Sequence, residues 1–88
     1  MERYLSDEIQ KLVDKYHCKA ERYEDAAEND TLVFYAGTYM RRYLISRICL
    51  DDYDLSRKAD VDSFLAGAEK ELKECDVALI DKANAGLM

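Results

Sequence analysis

An 88-residue chain with 19 Asp and Glu against 13 Lys and Arg, a formal charge of −6, has room for one small domain and is too acidic to hold nucleic acid or an anionic membrane by net charge. Its apolar half is periodic, which excludes a disordered acidic tail. Its three cysteines, Cys18, Cys49 and Cys75, are odd in number and widely spaced, which fits reduced cytoplasmic thiols and excludes a disulfide framework or zinc ribbon. The opening residues MERYLSDEIQ carry no apolar core of a secretory leader, and no apolar run is long enough to cross a membrane.

Proline is absent and glycine occurs only at Gly37, Gly67 and Gly86, so little forces the chain out of helix. From Glu2 to Glu28 the apolar residues Leu5, Ile9, Leu12, Val13, Tyr16, Ala20, Tyr23 and Ala27 predict one amphipathic helix. Asn29-Asp30-Thr31 reads as a break and a helix cap. The run Thr31–Tyr35 alone would pass for a strand, being β-branched and aromatic. The residues after it do not alternate, so a second helix over 32–50 is expected. Asp51–Ser56 is a second break. A third helix over 57–84 follows, with Val61, Phe64, Leu65, Ala68, Leu72, Cys75, Leu79 and Ala83 as its apolar stripe. Short links between long helices make neighbours antiparallel. The expected fold is therefore all-α: a single domain over 1–88, a three-helix antiparallel (up-down-up) bundle with helices about 2–28, 32–50 and 57–84, the middle one its hub.

Residues 31–50 hold three arginines and no acid. Tyr35, Tyr39 and Tyr43 border a polar strip with Arg42 among them, and tyrosine and arginine are enriched at interface hot spots. That strip is one candidate for partner binding; the alternative is that the rings line the helix seams with their hydroxyls in water. Arg41 falls in the apolar arc and is expected to clamp an acid of a flanking helix. A second candidate is a ridge of acids on the first helix, where Asp7, Asp14, Glu21 and Glu28 recur every seven residues with Asp25 beside them. Such a ridge suits a partner with a basic surface. Its alternative is an ordinary solvated face that also carries Lys11, Lys15 and Arg22.

Little else in the sequence carries chemistry. Asp14, His17, Cys18 and Glu21 are metal-ligand types within two helical turns, but His17 is the only histidine and these positions face away from a bundle core. On that reading Cys18 is exposed and oxidisable while Cys75 is inert in the core. Asp52 to Asp60 resembles part of a calcium loop, yet Arg57 stands where glycine is needed and Ser63 where a bidentate glutamate belongs. Cys18 and its one available base, His17, point to different sides of a helix, and no Gly-rich phosphate loop occurs. No catalysis, metal or cofactor is expected.

No family signature is visible. The expected function is a small acidic, non-enzymatic protein-binding module that inhibits or regulates a partner protein. By analogy with small acidic helical proteins of phages and mobile elements, it would occupy a basic nucleic-acid-binding groove. The alternative is a structural or regulatory homo-oligomer assembled through the middle helix. A module responding to metal through the turn after Leu50 is a third, weaker reading. The partner is thus another protein or a second copy, with no direct contact to nucleic acid or membrane.

Overall fold

The computed structural model describes residues 2–38 and 40–86 and shows a mixed α/β architecture, not an all-α bundle. In chain order it has α1 (Glu2–Tyr16), β1 (Lys19–Glu24), β2 (Asp30–Thr38), β3 (Arg41–Cys49), a 3-10 turn (Leu50–Asp52), α2 (Lys58–Glu74) and α3 (Val77–Asn84). The strands form one antiparallel meander in the order β1-β2-β3. The helices cover one face of it. No helix among the described residues is long and apolar enough to cross a membrane.

The first expected helix is half right. Leu5, Leu12 and Tyr16 are buried along α1 at helical spacing, but the helix ends at Tyr16. His17 takes the left-handed conformation at φ 58°, and the chain turns into β1. The Asn84 amide fixes this exit. Its Nδ2 donates to the His17 carbonyl at 2.6 Å, while its Oδ1 accepts the Gly37 N–H at 2.9 Å. One side chain thus ties α1, β2 and α3 together.

The middle helix does not exist. Its residues form β2, β3 and the hairpin between them. β2 sends Leu32, Phe34 and Ala36 into the core beneath the helices. β3 pairs with β2 from Thr31↔Cys49 to Thr38↔Arg41, and the register shifts between Phe34, which faces Ser46, and Tyr35, which faces Leu44. Ile45 is therefore an extra residue, a β-bulge that turns the first half of β3 over relative to the second. An assembly through a middle helix has no basis in this fold.

The third expected helix is two. Val61, Phe64, Leu65, Ala68 and Leu72 are buried on α2 as the stripe predicts. The chain breaks at Cys75, and Asp76 caps α3 by accepting the Ala78 N–H at 2.9 Å. Nor are the helices strictly alternating in direction. The Tyr4 hydroxyl donates to Asp62 and Lys15 lies 3.7 Å from Glu69, so α1 and α2 run side by side in the same sense. The acid-rich turn after β3 is held by its own side chains. Asp54 accepts from the Ser56 N–H and hydroxyl, and Asp60 accepts the Asp54 N–H at 2.8 Å. Of the oxygens that resemble a calcium loop, those of Asp54 and Asp60 are thus acceptors within the turn.

Two positive-φ positions give opposite mutational expectations. At Gly37 (φ 116°) an added Cβ would lie 2.0 Å from the Arg41 carbonyl oxygen. Gly37→Ala should cost about 2 kcal/mol or more in urea unfolding, through both clash and backbone strain. Glu28 holds φ 64° in the β1–β2 turn. Glu28→Gly should raise stability by roughly 0.5–1 kcal/mol by relieving the left-handed strain.

Candidate functional site

The helices leave the other face of the sheet open. Register places Lys19, Glu21 and Tyr23 of β1, Val33 and Tyr35 of β2, and Arg42, Leu44 and Arg47 of β3 on that face. Arg42 and Leu44 are there because of the bulge at Ile45. Without the extra residue they would share the face of Ser46 and Ile48 and point at the helices.

Two ion pairs cross this face from β3 to the β1 side. Arg42 Nη1 donates to Glu21 Oε2 at 2.6 Å, and on the way its guanidinium stacks on Tyr35, 4.9 Å from the ring centroid. Arg47 Nη2 lies 3.3 Å from Asp25 Oδ2. The first pair borders a shallow groove of about 290 Å³ lined by Glu21, Tyr23, Val33, Tyr35, Arg42 and Leu44. Val33 is buried although no helix covers it; its cross-strand neighbours are Glu21 and Arg47, whose stems shield it. Both pairs are solvent-accessible, so each adds only about 0–1 kcal/mol and can be exchanged for a partner's charges.

The acids at one end of the sheet are already engaged. Asp25 Oδ1 accepts the N–H groups of Ala27 and Asn29, and the Asn29 bond above all holds its carboxyl below the ordinary aspartate value, with Ala27 and Arg47 adding to it. Asp30 is held low by Arg22, which donates Nε and Nη2 to it. Asp51 accepts the Asp30 N–H at 3.1 Å, so Asp25, Glu28, Asp30, Asp51, Asp52 and Asp54 gather where β2 starts and β3 ends. Lys19, Arg41 and Arg42 lie at the opposite end. The molecule is charged in opposite senses along its strands.

The sequence-derived candidates are redistributed by this geometry. Tyr35, Arg42 and Glu21, drawn from the two separate candidates, come together in one strap, and Asp25 joins the other. Tyr43 lies on the opposite face of β3, beside Ala36, Leu79 and Ala83. Tyr39 falls outside the described residues. The seven-residue acidic ridge is not formed. Asp7 and Asp14 are exposed on α1, Glu21 is on the sheet, and Glu28 is in the β1–β2 turn. Arg41 is exposed, not a buried clamp. Tyr23, Val33, Leu44 and Arg47 were missed, because a helical reading assigns them to seams or passes over them.

The thiol assignments invert as well. Cys18 is buried, its Sγ 4.0 Å from the Leu12 carbonyl, and burial pushes its pKa up to about 11. Cys75 and Cys49 are only half-buried. His17 Nδ1 faces Asp81 at 3.0 Å. Among the described residues no three His, Cys, Asp or Glu side chains converge as a metal-ligand set. No protein-family model, no curated protein and no solved structure matches this chain.

Two outcomes follow from these environments. In the folded protein, iodoacetamide should label Cys49 and Cys75 well before Cys18, which should react only on unfolding; peptide mass spectrometry reads the order. Hydrogen bonds and neighbouring cations hold the carboxyls of Asp25, Asp30, Asp54 and Asp62 below the ordinary aspartate value of 3.8. The stability they add is complete above that value and is lost as pH falls through the lowered ones. The melting temperature should therefore drop most steeply below pH 3.8, and Asp25→Asn should shrink that drop while lowering the melting temperature at neutral pH.

Proposed function

We propose that this chain is a non-enzymatic protein-binding module that regulates a partner by docking it on the open face of the sheet. The observation that carries the reading is the arginine-strapped groove. Tyr23, Tyr35 and Leu44 offer aromatic and apolar area, while Glu21–Arg42 and Asp25–Arg47 can be re-paired at small cost. The acidic end beside the groove would orient a partner with a basic rim and speed its encounter.

Other features support the non-catalytic part. Cys18 is a neutral, buried thiol, and His17 is turned toward Asp81 and away from it. Three free thiols favour the cytoplasm as its compartment.

Immobilised full chain, exposed to lysate of its source cells, should capture a defined protein. Tyr23→Ala and Tyr35→Ala should each weaken that capture about tenfold or more in titration, with circular dichroism unchanged. Asp7→Lys with Asp14→Lys, on the helical layer, should leave it within about twofold at physiological salt or above, where long-range charge is screened. Loss of capture in the α1 variant alone would move the binding site to the helices and overturn the reading.

A further inference from the structure

The Arg42 strap is also a small binding site with its ligand in place. The guanidinium lies 4.9 Å from the Tyr35 ring centroid and donates Nη1 to Glu21 Oε2 at 2.6 Å. An aromatic face beneath a planar cation and a carboxylate at its edge are what holding an arginine requires. Neither wall of this seat belongs to the strand that fills it. Tyr35 is on β2 and Glu21 on β1, while Arg42 reaches over from β3. The Arg42 and Glu21 side chains are 48 % and 43 % exposed, so the seat opens to solvent and its occupant is exchangeable.

We infer that Tyr35 and Glu21 form an arginine-binding seat, which Arg42 fills in the free chain and an arginine of the docked partner takes over. This deepens the docking reading and rests on it. Charge selects a cation over an anion. The chain carries −6, so a basic segment is drawn to it and an acidic one is repelled. A carboxylate would also have to compete with Glu21 for Arg42.

The surface beyond the seat has the same preference. Glu21, Tyr23 and Asp25 follow one another at two-residue steps of about 7 Å, the last just past the end of β1. Asp25 already faces a second guanidinium, that of Arg47, at 3.3 Å. An extended segment of a partner repeats on one face at the same step. It would set an arginine on the seat, an apolar residue against Tyr23 and Val33, and a second cation at Asp25. The occupant is thus a segment with arginine, an apolar residue and a further cation at alternate positions. Arg42 is tethered, which gives it the advantage over any free cation. A partner displaces it because contacts with Tyr23, Val33 and Leu44 add to those of its arginine.

The seat is tested on the full chain with N-acetyl-arginine amide, followed by amide NMR shifts. Arg42→Ala vacates the seat, as does Arg42→Gln should the shorter side chain loosen the sheet. The probe should then bind saturably in the millimolar range, moving the signals of Glu21 and Tyr35. The native chain should bind it about fivefold or more weakly, because Arg42 competes. N-acetyl-lysine amide should bind the vacated seat about threefold more weakly, since an ammonium does not stack. Glu21→Gln in the Arg42→Ala chain should weaken the probe about tenfold. The partner captured on the open face gives a second readout. Arg42→Ala should strengthen that capture about threefold or more, and Glu21→Gln should weaken it. If Tyr23→Ala and Arg42→Ala both weaken capture, docking stands and the arginine seat falls. An Arg42→Ala chain without saturable shifts, or with shifts that Glu21→Gln leaves intact, overturns the inference whether or not a partner is captured.

Discussion

One residue without a cross-strand partner decides what the free face of this sheet displays. Ile45 is inserted between Leu44, which pairs with Tyr35, and Ser46, which pairs with Phe34. Strand side chains alternate, so a single insertion exchanges the two faces for everything on one side of it. Arg42 and Leu44 consequently join Arg47 on the open face, and Tyr43 turns to the helices. Ser46 pays part of the cost: its buried hydroxyl has no hydrogen-bond partner among the described residues. The same is true of the Tyr16 hydroxyl, so the core holds two polar groups that packing alone retains.

The bulge also explains how a one-layer sheet keeps its bare side in water. A helix layer covers Leu32, Phe34 and Ala36, but Val33 has only side chains above it. Arg42 and Arg47 both reach from β3 toward β1, and the stems of Arg47 and Glu21, the cross-strand neighbours of Val33, do for it what a helix does for Phe34. A cover made of long charged side chains is cheap to move. The same feature therefore shields the sheet in the free protein and yields to a binding partner, which a fourth helix would not do.

The sequence was legible where one face of an element is buried and the pattern is uninterrupted. α2 shows this: Val61, Phe64, Leu65, Ala68 and Leu72 are buried as their spacing requires. Three local events hid the rest. Tyr16, Ala20, Tyr23 and Ala27 continue the helical period by coincidence, while His17 has already left the helix with a left-handed backbone that no glycine announces. β2 is buried on both faces, so Leu32, Val33, Phe34, Tyr35 and Ala36 read as an unbroken apolar run instead of an alternation. β3 does not alternate: Arg41, Arg42, Tyr43 and Leu44 are all exposed, and the bulge shifts the phase halfway, so nine residues show no period of two. Thr31–Tyr35 did carry the strand signal in its β-branched and aromatic residues; length and phase outweighed it. Of the candidate site, residue type was readable and placement was not. Tyr35, Arg42 and Glu21 stood out by chemistry, yet only the register shows that an arginine and an acid from two different candidates form one strap over one tyrosine.

Charge gains a different meaning once the strands are in place. Along the chain the acids fall on either side of an acid-free stretch over 31–50, with a net excess that suggests one negative surface. In the fold, the antiparallel meander gathers Asp25, Glu28 and Asp30 from one turn with Asp51, Asp52 and Asp54 from another, while both hairpin-end arginines of β3 lie at the far end with Lys19. The result is a gradient along the strands, acidic where β2 starts and β3 ends and basic at the hairpin end. Met40, Tyr43, Leu44 and Leu79, four of the exposed large hydrophobics among the described residues, lie toward the basic end. Apolar area and basic charge therefore coincide at the half-edge before Ile45, and the same bulge that builds the open face turns Tyr43 away from it.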